Sequence, residues 1–242
     1  MGRELNIPNV RLINDFAAVG YGLSALSADD MVELQPGAPE PGGVRALIGA
    51  GTGLGQAIVV TCDSTVQVLA TEGGHVDFAP RSLLEMQLLD YLWRDHERAT
   101  YEMLLSGKGL VTLFWFLTDT QAMTPSAALV AAIRERDPAA AISEFALSGQ
   151  DAVAERALEL FVRIYGAQAG NLALATVPRG GLYVAGGIAP KIIAKLTSPV
   201  FMDAFHAKHP MSHLLTDIPV HVLLNTHVGL LGATQLAASI VD

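Results

Sequence analysis

The sequence predicts a mixed α/β fold in which a long helical insertion interrupts the sheet. Three strand-length apolar runs follow a loop rich in proline and glycine, and their close spacing is typical of an antiparallel meander. Residues 82–176 are almost wholly helical in pattern, and a strand, a helix, a second strand and a final helix come after them. The strand segments are "VRALIGA", "QAIVVTC", "TVQVLAT", "GLYVAGG" and "IPVHVLL".

One further strand and one helix precede the meander. The apolar run "VRLIN", residues 10–14, predicts a buried strand, and "DFAAVGYGLSAL" after it predicts a helix that Asp15 caps. Residues 35–43 hold three prolines and three glycines, so we expect an exposed loop there. Inside the insertion, Asp137 as cap and Pro138 in the first turn predict a helix start.

The composition excludes several classes of protein. With 242 residues, of which 51% are hydrophobic and 16% charged, the chain can fill a core and is not a disordered segment. A net charge of −9 gives no general attraction to nucleic acid or anionic membranes, so a bound phosphate needs backbone donors and a cation. Without a secretory signal, and with polar residues interrupting the apolar window 158–190, we expect a cytoplasmic protein.

The single cysteine, Cys62, allows neither an internal disulfide nor a Cys-clustered zinc site. We expect its side chain to be buried in a strand, as free cysteines usually are. Glu72 and His75 stand three apart across a Gly-Gly pair, which does not suit a helical metal motif. The sequence therefore predicts no metal site formed by the protein alone.

The stretch "ALIGAGTGLGQAIVV", residues 46–60, places four glycines in seven positions between two apolar runs. No lysine follows them as in a P-loop, and their spacing differs from that of the dinucleotide fingerprint. Both motifs also need a helix next, whereas "QAIVV" is strand-like. The remaining interpretation is a β-hairpin whose glycines adopt positive φ, so that N–H groups and the Thr52 hydroxyl hold a phosphate. A tight glycine hairpin without a ligand stays open as the alternative.

Seven stretches together resemble a known family. "EGGHVDFAP" is highly distinctive, and it stands in order with the others over essentially the whole chain. The combination resembles the bacterial glucokinases, ATP-dependent hexose kinases with an actin-like, ribonuclease H-like fold. The resemblance implies phosphorylation of glucose to glucose 6-phosphate, the entry to glycolysis. The matching stretches are "LINDFAAV", "GAGTGLG", "EGGHVDFAP", "YEMLLSGKGL", "AGGIAPK", "IPVHVLL" and "VGLLGA".

The resemblance implies a catalytic base and a sugar site. The aspartate of "NDF", Asp15, would take the proton of the sugar 6-hydroxyl as that oxygen attacks the γ-phosphorus of ATP. Asn14 beside it would hydrogen-bond the sugar. Glu72, His75 and Glu102 would bind hexose hydroxyls, and such carboxylate and imidazole groups suit a polyol.

The resemblance also implies a nucleotide site and its ligands. The "GTGLG" hairpin would be the second phosphate element of the family, and "AGGI" would be the adenosine element, where missing side chains let the nucleotide approach the backbone. ATP and Mg²⁺ are the implied cofactors, and family habit suggests a homodimer. The residues concerned are Gly51, Thr52, Gly53, Gly55, Gly186 and Gly187.

One motif of the family does not occur in the sequence. An actin-like fold has two lobes that each start with a glycine hairpin, and the family's first Asp-x-Gly-Gly-Thr-Asn motif is not found before "NDF". We therefore expect residues 1–25 and 227–242 to be a remnant of the small lobe and residues 26–226 to form the large lobe. With one of two phosphate clamps missing, we expect weak phosphoryl transfer.

Other functions stand as alternatives. A non-catalytic hexose-binding or dimerisation fragment would keep Glu72, His75 and Glu102 but would lose turnover. A dinucleotide oxidoreductase fits poorly, because the glycine spacing is wrong and a strand follows the loop. A repressor of the related ROK type fits poorly as well, because the chain has neither a Cys-rich zinc motif nor a helix-turn-helix segment.

Overall fold

The computed structural model describes residues 9–63 and 65–241, and at its centre is a six-stranded sheet. In chain order the strands are β1 (Met31–Gln35), β2 (Arg45–Ala50), β3 (Leu54–Cys62), β4 (Thr65–Thr71), β5 (Gly181–Ala185) and β6 (Val220–Leu223). Across the sheet they lie in the order β1-β6-β5-β2-β3-β4.

The sheet is mixed, as the sequence predicts. β2, β3 and β4 form the expected antiparallel meander, while β2, β5 and β6 run parallel to one another. β1 pairs antiparallel with β6 at the edge of the sheet and was not predicted. Its residues are mostly half-buried without a clear alternation, so the pairing with β6 rather than the local pattern defines this strand.

Ten α-helices are seen in the part of the chain that the structure describes. The predicted helical insertion is confirmed, and so is the helix start at Asp137, whose Oδ1 accepts the Ala140 N–H (2.7 Å). The helices are α1 (Asp15–Gly22), α2 (Leu83–Trp93), α3 (Gly107–Thr120), α4 (Ala127–Glu135), α5 (Pro138–Leu147), α6 (Ala152–Thr176), α7 (Ile193–Leu196), α8 (Pro199–His206), α9 (Ser212–Thr216) and α10 (Val228–Val241).

Apolar side chains fill both faces of the sheet. On one face the long helix α6 lies at the centre of the larger core, where its Phe161 and Tyr165 are fully buried. On the other face α1 and α10 cover a smaller core that includes Leu47, Val59 and Val228. The central strands are therefore buried on both sides, which explains their nearly continuous apolar sequences.

Three expectations about the first strand, the first helix and the cysteine are wrong. Residues 10–14 are not a strand: the structure shows no partner strand beside them among the described residues, and the side chain of Leu12 is 85% exposed. Asn14, not Asp15, is the N-cap of α1, because Asn14 Oδ1 accepts the N–H groups of Phe16 and Ala17. Cys62 is exposed, because the end of β3 projects past the core.

The parallel strands bring three loops to one edge of the sheet. β2, β5 and β6 have the same direction, so their carboxyl ends meet, and ligands in open α/β sheets bind at this edge. The loops that follow are the glycine turn 51–53, Gly186–Gly187 and Asn225–Thr226. In residues 9–63 and 65–241, the helices are all too short or too polar to cross a membrane.

Candidate functional site

A cleft of about 480 Å³ lies at this edge of the sheet. It collects nearly all of the residues that the resemblance implies, from elements far apart in the chain. His75 lies beside the cleft, in contact with two of its carboxylates. The implied residues that line it are Asn14, Asp15, Gly51, Thr52, Gly53, Gly55, Glu72, Glu102, Gly186 and Gly187.

Asp15 is the first residue of α1 and lies at the mouth of the cleft. Its Oδ1 accepts the N–H of Phe16 (2.8 Å), and Asn14 Oδ1 accepts the same N–H from the other side (2.9 Å). These bonds fix one oxygen of the Asp15 carboxylate against the helix terminus. Oδ2 takes part in neither of these bonds.

The ring of Phe16 seats this helix on the glycine hairpin. Gly49 and Gly55 face each other across β2 and β3, and a Cβ at either would lie 2.5 Å from a Phe16 ring carbon. The two glycines therefore form a slot for the Phe16 ring, and a side chain at either position would block it. Phe16 fills the slot, and Asp15 beside it lines the same cleft as the turn 51–53.

The turn 51–53 is a β-hairpin turn, but its backbone differs from the expectation. Gly51, Gly53 and Gly55 do not adopt positive φ, so close approach by neighbours, not a left-handed backbone, accounts for Gly53 and Gly55. The turn is closed by the Gly51 N–H, which donates to Gly53 O (2.8 Å). The N–H of Gly107, at the start of α3, donates to Gly51 O (2.9 Å), and Thr52 is exposed at the tip.

Glu72, His75 and Glu102 form a group on the other wall of the cleft. The short 3₁₀ helix Gly73–His75 turns the imidazole back over both carboxylates. His75 Nε2 lies 3.9 Å from Glu72 Oε2, and His75 Nδ1 lies 3.9 Å from Glu102 Oε1. Two carboxylates and an imidazole therefore lie together here, and such groups can hydrogen-bond the hydroxyls of a polyol.

The end of β5 contributes a glycine pair whose backbone suits its position. Gly186 has φ +86°, and a Cβ there would collide with the carbonyl oxygen of Ala50 in β2. Gly187 has open space around its Cα, so a ligand can approach the backbone there. The N–H of Ile188 returns to Ala50 O (3.2 Å), which ties this loop to the base of the glycine hairpin.

Sequence reasoning missed the loop after β6. Asn225 and Thr226 line the cleft, and the Asn225 side chain is fixed by donation to Asp30 Oδ1 (2.9 Å) and acceptance from the His227 N–H (2.8 Å). Hydrogen bonds from Ser27 hold the pKa of Asp30 below its usual value. The available signal was the polar triplet "NTH" at the end of a strand parallel to β2.

A larger, apolar pocket of about 1120 Å³ adjoins the cleft. The two share Gly51, Thr52 and Gly187, so the turn 51–53 and the end of β5 stand between them. Lys108 and Lys191 lie in the larger pocket, whereas the described lining of the cleft contains three carboxylates and neither lysine nor arginine. An anion in the cleft therefore has to bring or attract its own cation.

Comparisons with known proteins identify the family of the chain. The family model described as Glucokinase matches residues 1–240. A glucokinase of Nostoc sp. is 47% identical over 98% of this chain and 73% of its own length. The crystal structure of a glucokinase from an Antarctic psychrotroph has a TM-score of 0.84 at 30% identity, covering 98% of this chain and 71% of that one.

A glucokinase from Balamuthia mandrillaris, solved in complex with glucose, has a TM-score of 0.79 at 25% identity and covers 93% of this chain and 65% of that one. The expected actin-like fold of hexose kinases is thereby confirmed for the described residues. The match of the family model and the identity to known glucokinases lead to one conclusion. The chain belongs to the glucokinase family of hexose kinases.

Proposed function

We propose that this chain transfers the γ-phosphoryl group of ATP to the 6-hydroxyl of glucose, with Asp15 as the general base. The observation that carries the proposal is the shared cleft. It brings together, at one edge of the sheet, a carboxylate at a helix terminus, a wall of side chains suited to hydrogen-bond a sugar, and a glycine turn. Each class of group has a role in phosphoryl transfer to a polyol.

Glucose would lie against the wall formed by Glu72, His75 and Glu102. Carboxylate oxygens accept hydroxyl protons, and the imidazole can donate or accept, so a hexose can satisfy the group. The contacts of His75 with both carboxylates, each at 3.9 Å, support one binding surface rather than three separate side chains. A sugar that lacks a partnering hydroxyl would leave these groups unpaired and would be rejected.

The sugar 6-hydroxyl would point to Asp15 Oδ2. Asn14 Oδ1 is occupied by the helix N–H groups, so Asn14 would contact the sugar through its amide N–H₂. As the hydroxyl oxygen bonds to the γ-phosphorus and the bond from that phosphorus to ADP breaks, Asp15 takes the hydroxyl proton. The packing of Phe16 in the glycine slot supports this role, because it fixes the residue next to Asp15 on the hairpin whose turn lines the same cleft.

The triphosphate would lie along the turn 51–53, contacting Thr52 and the glycine backbone, with Gly186 and Gly187 beside the adenosine. The base and ribose would lie in the adjoining pocket of about 1120 Å³. Because three carboxylates and no basic side chain line the described part of the cleft, the phosphates need a cation. Mg²⁺ fits this donor set, since it binds mainly to nucleotide phosphates with few carboxylates and would neutralise their charge.

Further parts of the proposal concern assembly and cellular role. Leu83, Met86 and Trp93 share one exposed face of α2, which supports a homodimer through this helix. We assign residues 26–226 to the large lobe and residues 1–25 and 227–242 to the small lobe, of which 1–8 and 242 lie outside the described residues. Family membership supports a cytoplasmic enzyme that feeds glycolysis.

The proposal is tested by measuring glucose 6-phosphate formation with ATP and Mg²⁺ for the wild type, Asp15→Asn and the surface control Asp95→Asn. We expect Asp15→Asn to lose at least about 10²-fold in kcat while still binding glucose, and Asp95→Asn to match the wild type. Equal turnover in Asp15→Asn would contradict the assigned base. Glucose binding without turnover in the wild type would favour the non-catalytic hexose-binding function.

A further inference from the structure

We propose that Glu102 is a positioning residue for the turn 51–53. Its carboxylate would connect the sugar wall, formed by Glu72, His75 and Glu102, to the turn beside which the triphosphate would lie. The inference rests on the proposed function for the identity of the two ligands. The contacts that carry it are within the protein and do not depend on any ligand. They involve the two oxygens of the same side chain.

The first contact fixes the start of β3. Glu102 Oε2 accepts the backbone N–H of Leu54 (2.9 Å), the residue directly after the turn 51–53. Leu54 is buried and the Glu102 side chain is only 35% exposed, so water does not compete freely for this N–H group. Hydrogen bonds to a charged acceptor are the stronger kind. This bond therefore restrains the turn more than a neutral partner would.

The second contact is steric and explains another glycine of the stretch. A Cβ at Gly53 would lie 2.5 Å from Glu102 Oε2 and 3.1 Å from its carboxyl carbon. A side chain at this position would push the carboxylate away from the Leu54 N–H. The residue type at Gly53 is thus explained by the approach of Glu102, without reference to phosphate.

The other oxygen of Glu102 faces the sugar wall. Oε1 lies 3.9 Å from His75 Nδ1, and the Glu102 N–H donates to Gly74 O (2.9 Å). A sugar hydroxyl bound at Oε1 would restrict the carboxylate, and through Oε2 it would restrict the hairpin. Binding of sugar and nucleotide would then be coupled, and such coupling is reciprocal.

Glu72 provides a matched control on the same wall. Its side chain is 83% exposed, and among the described residues its carboxylate lies 3.9 Å from His75 Nε2. Removal of Glu72 takes one negative charge from the cleft, as does removal of Glu102, but leaves the bond to Leu54 in place. A comparison of the two variants therefore separates the loss of charge from the loss of the restraint on the hairpin.

The experiment compares wild type, Glu102→Ala, Glu102→Gln and Glu72→Ala in three measurements. These are amide hydrogen exchange at Leu54, the Kd of AMPPNP with Mg²⁺ in the absence of sugar, and the Kd of glucose. In Glu102→Ala we expect Leu54 exchange to accelerate at least about tenfold and AMPPNP to bind several-fold more weakly. Glu72→Ala should weaken glucose binding only. Glu102→Gln, with a neutral acceptor of equal length, should fall between wild type and Glu102→Ala.

Each outcome decides between the two proposals. Unchanged Leu54 exchange in both Glu102 variants, or sugar-free AMPPNP affinity equal to that of the wild type, would overturn the positioning role. If Glu102→Ala does not fold, the exchange rate in Glu102→Gln must still rise. A wild type that binds no glucose would instead contradict the proposed function, and the Leu54 result would stand by itself.

Discussion

Replacement of Gly55 by alanine tests whether the glycine slot serves Phe16 or a phosphate. The three nearest atoms to a Cβ at position 55 all belong to the Phe16 ring, at 2.5, 2.6 and 3.0 Å. Ordinary contacts of a Cβ lie at 3.4–4 Å. Since Gly55 does not have positive φ, alanine fits the backbone, and the substitution acts through the ring alone.

The expected size of the effect follows from that geometry. The ring has to retreat by about 1 Å, and overpacking of this kind costs about 1–3 kcal/mol of unfolding free energy. Asp15 is joined to Phe16 by the peptide bond and by the hydrogen bond from the Phe16 N–H to Asp15 Oδ1 (2.8 Å), so the carboxylate moves with Phe16. A misplacement of about 1 Å can lower kcat about 10²-fold. Urea unfolding and the coupled glucose 6-phosphate assay measure the two effects.

A second substitution separates the two explanations of the slot. Phe16→Leu in the Gly55→Ala background removes ring atoms, so we expect it to recover part of the stability and of kcat. Gly51→Ala serves as the stability control, because no atom lies within 4 Å of a Cβ there. If the double variant stays as impaired as Gly55→Ala, then Gly55 does not serve to make room for the Phe16 ring and is needed instead for ligand approach.

Two further predictions concern the core and the pH dependence of stability. Tyr165→Phe removes the hydroxyl that accepts the Ala50 N–H (3.1 Å), and a buried donor left unpaired should cost about 1–3 kcal/mol in urea unfolding. Burial, with Arg81 adding and Glu85 opposing, lowers the pKa of Lys208 to about 8 from 10.5. The unfolded chain then binds more protons between these values, so stability should rise with pH there. Lys208→Met should lack this rise. If the urea midpoints of the wild type and Lys208→Met change in parallel from pH 8 to 10, the prediction is wrong.

The central sheet could be predicted because its strands carry their own signal. β2, β5 and β6 are buried on both faces, so their apolar runs mark them without knowledge of the partners. β1 has no such run, since it lies at the edge with one neighbour. Residues 10–14 show the converse: an apolar sequence defines a strand only where another strand pairs with it.

The resemblance implied ten of the residues that line the cleft, but their contacts could not be predicted. Spacing along the chain cannot show that Asn14 rather than Asp15 caps α1, because both side chains suit an N-cap. Nor could it show that the hairpin glycines avoid positive φ, since glycine serves close approach as well as left-handed turns. Asn225 was missed because its role depends on the parallel order of β6 and β2, which only the assembled sheet defines.

The contacts together make the turn 51–53 the organising element of the cleft. The ring of Phe16, next to Asp15, packs against the strands that flank the turn, at Gly49 and Gly55. Glu102 bonds to the Leu54 N–H directly after the turn, and the N–H at the start of α3 bonds to Gly51 O within it. We therefore expect the proposed catalytic base, sugar ligands and phosphate element to keep their mutual distances, because their contacts meet at one short turn. Phosphoryl transfer depends on in-line geometry more than on covalent chemistry by the protein. We therefore expect substitutions that loosen the turn 51–53 to lower kcat without loss of the fold.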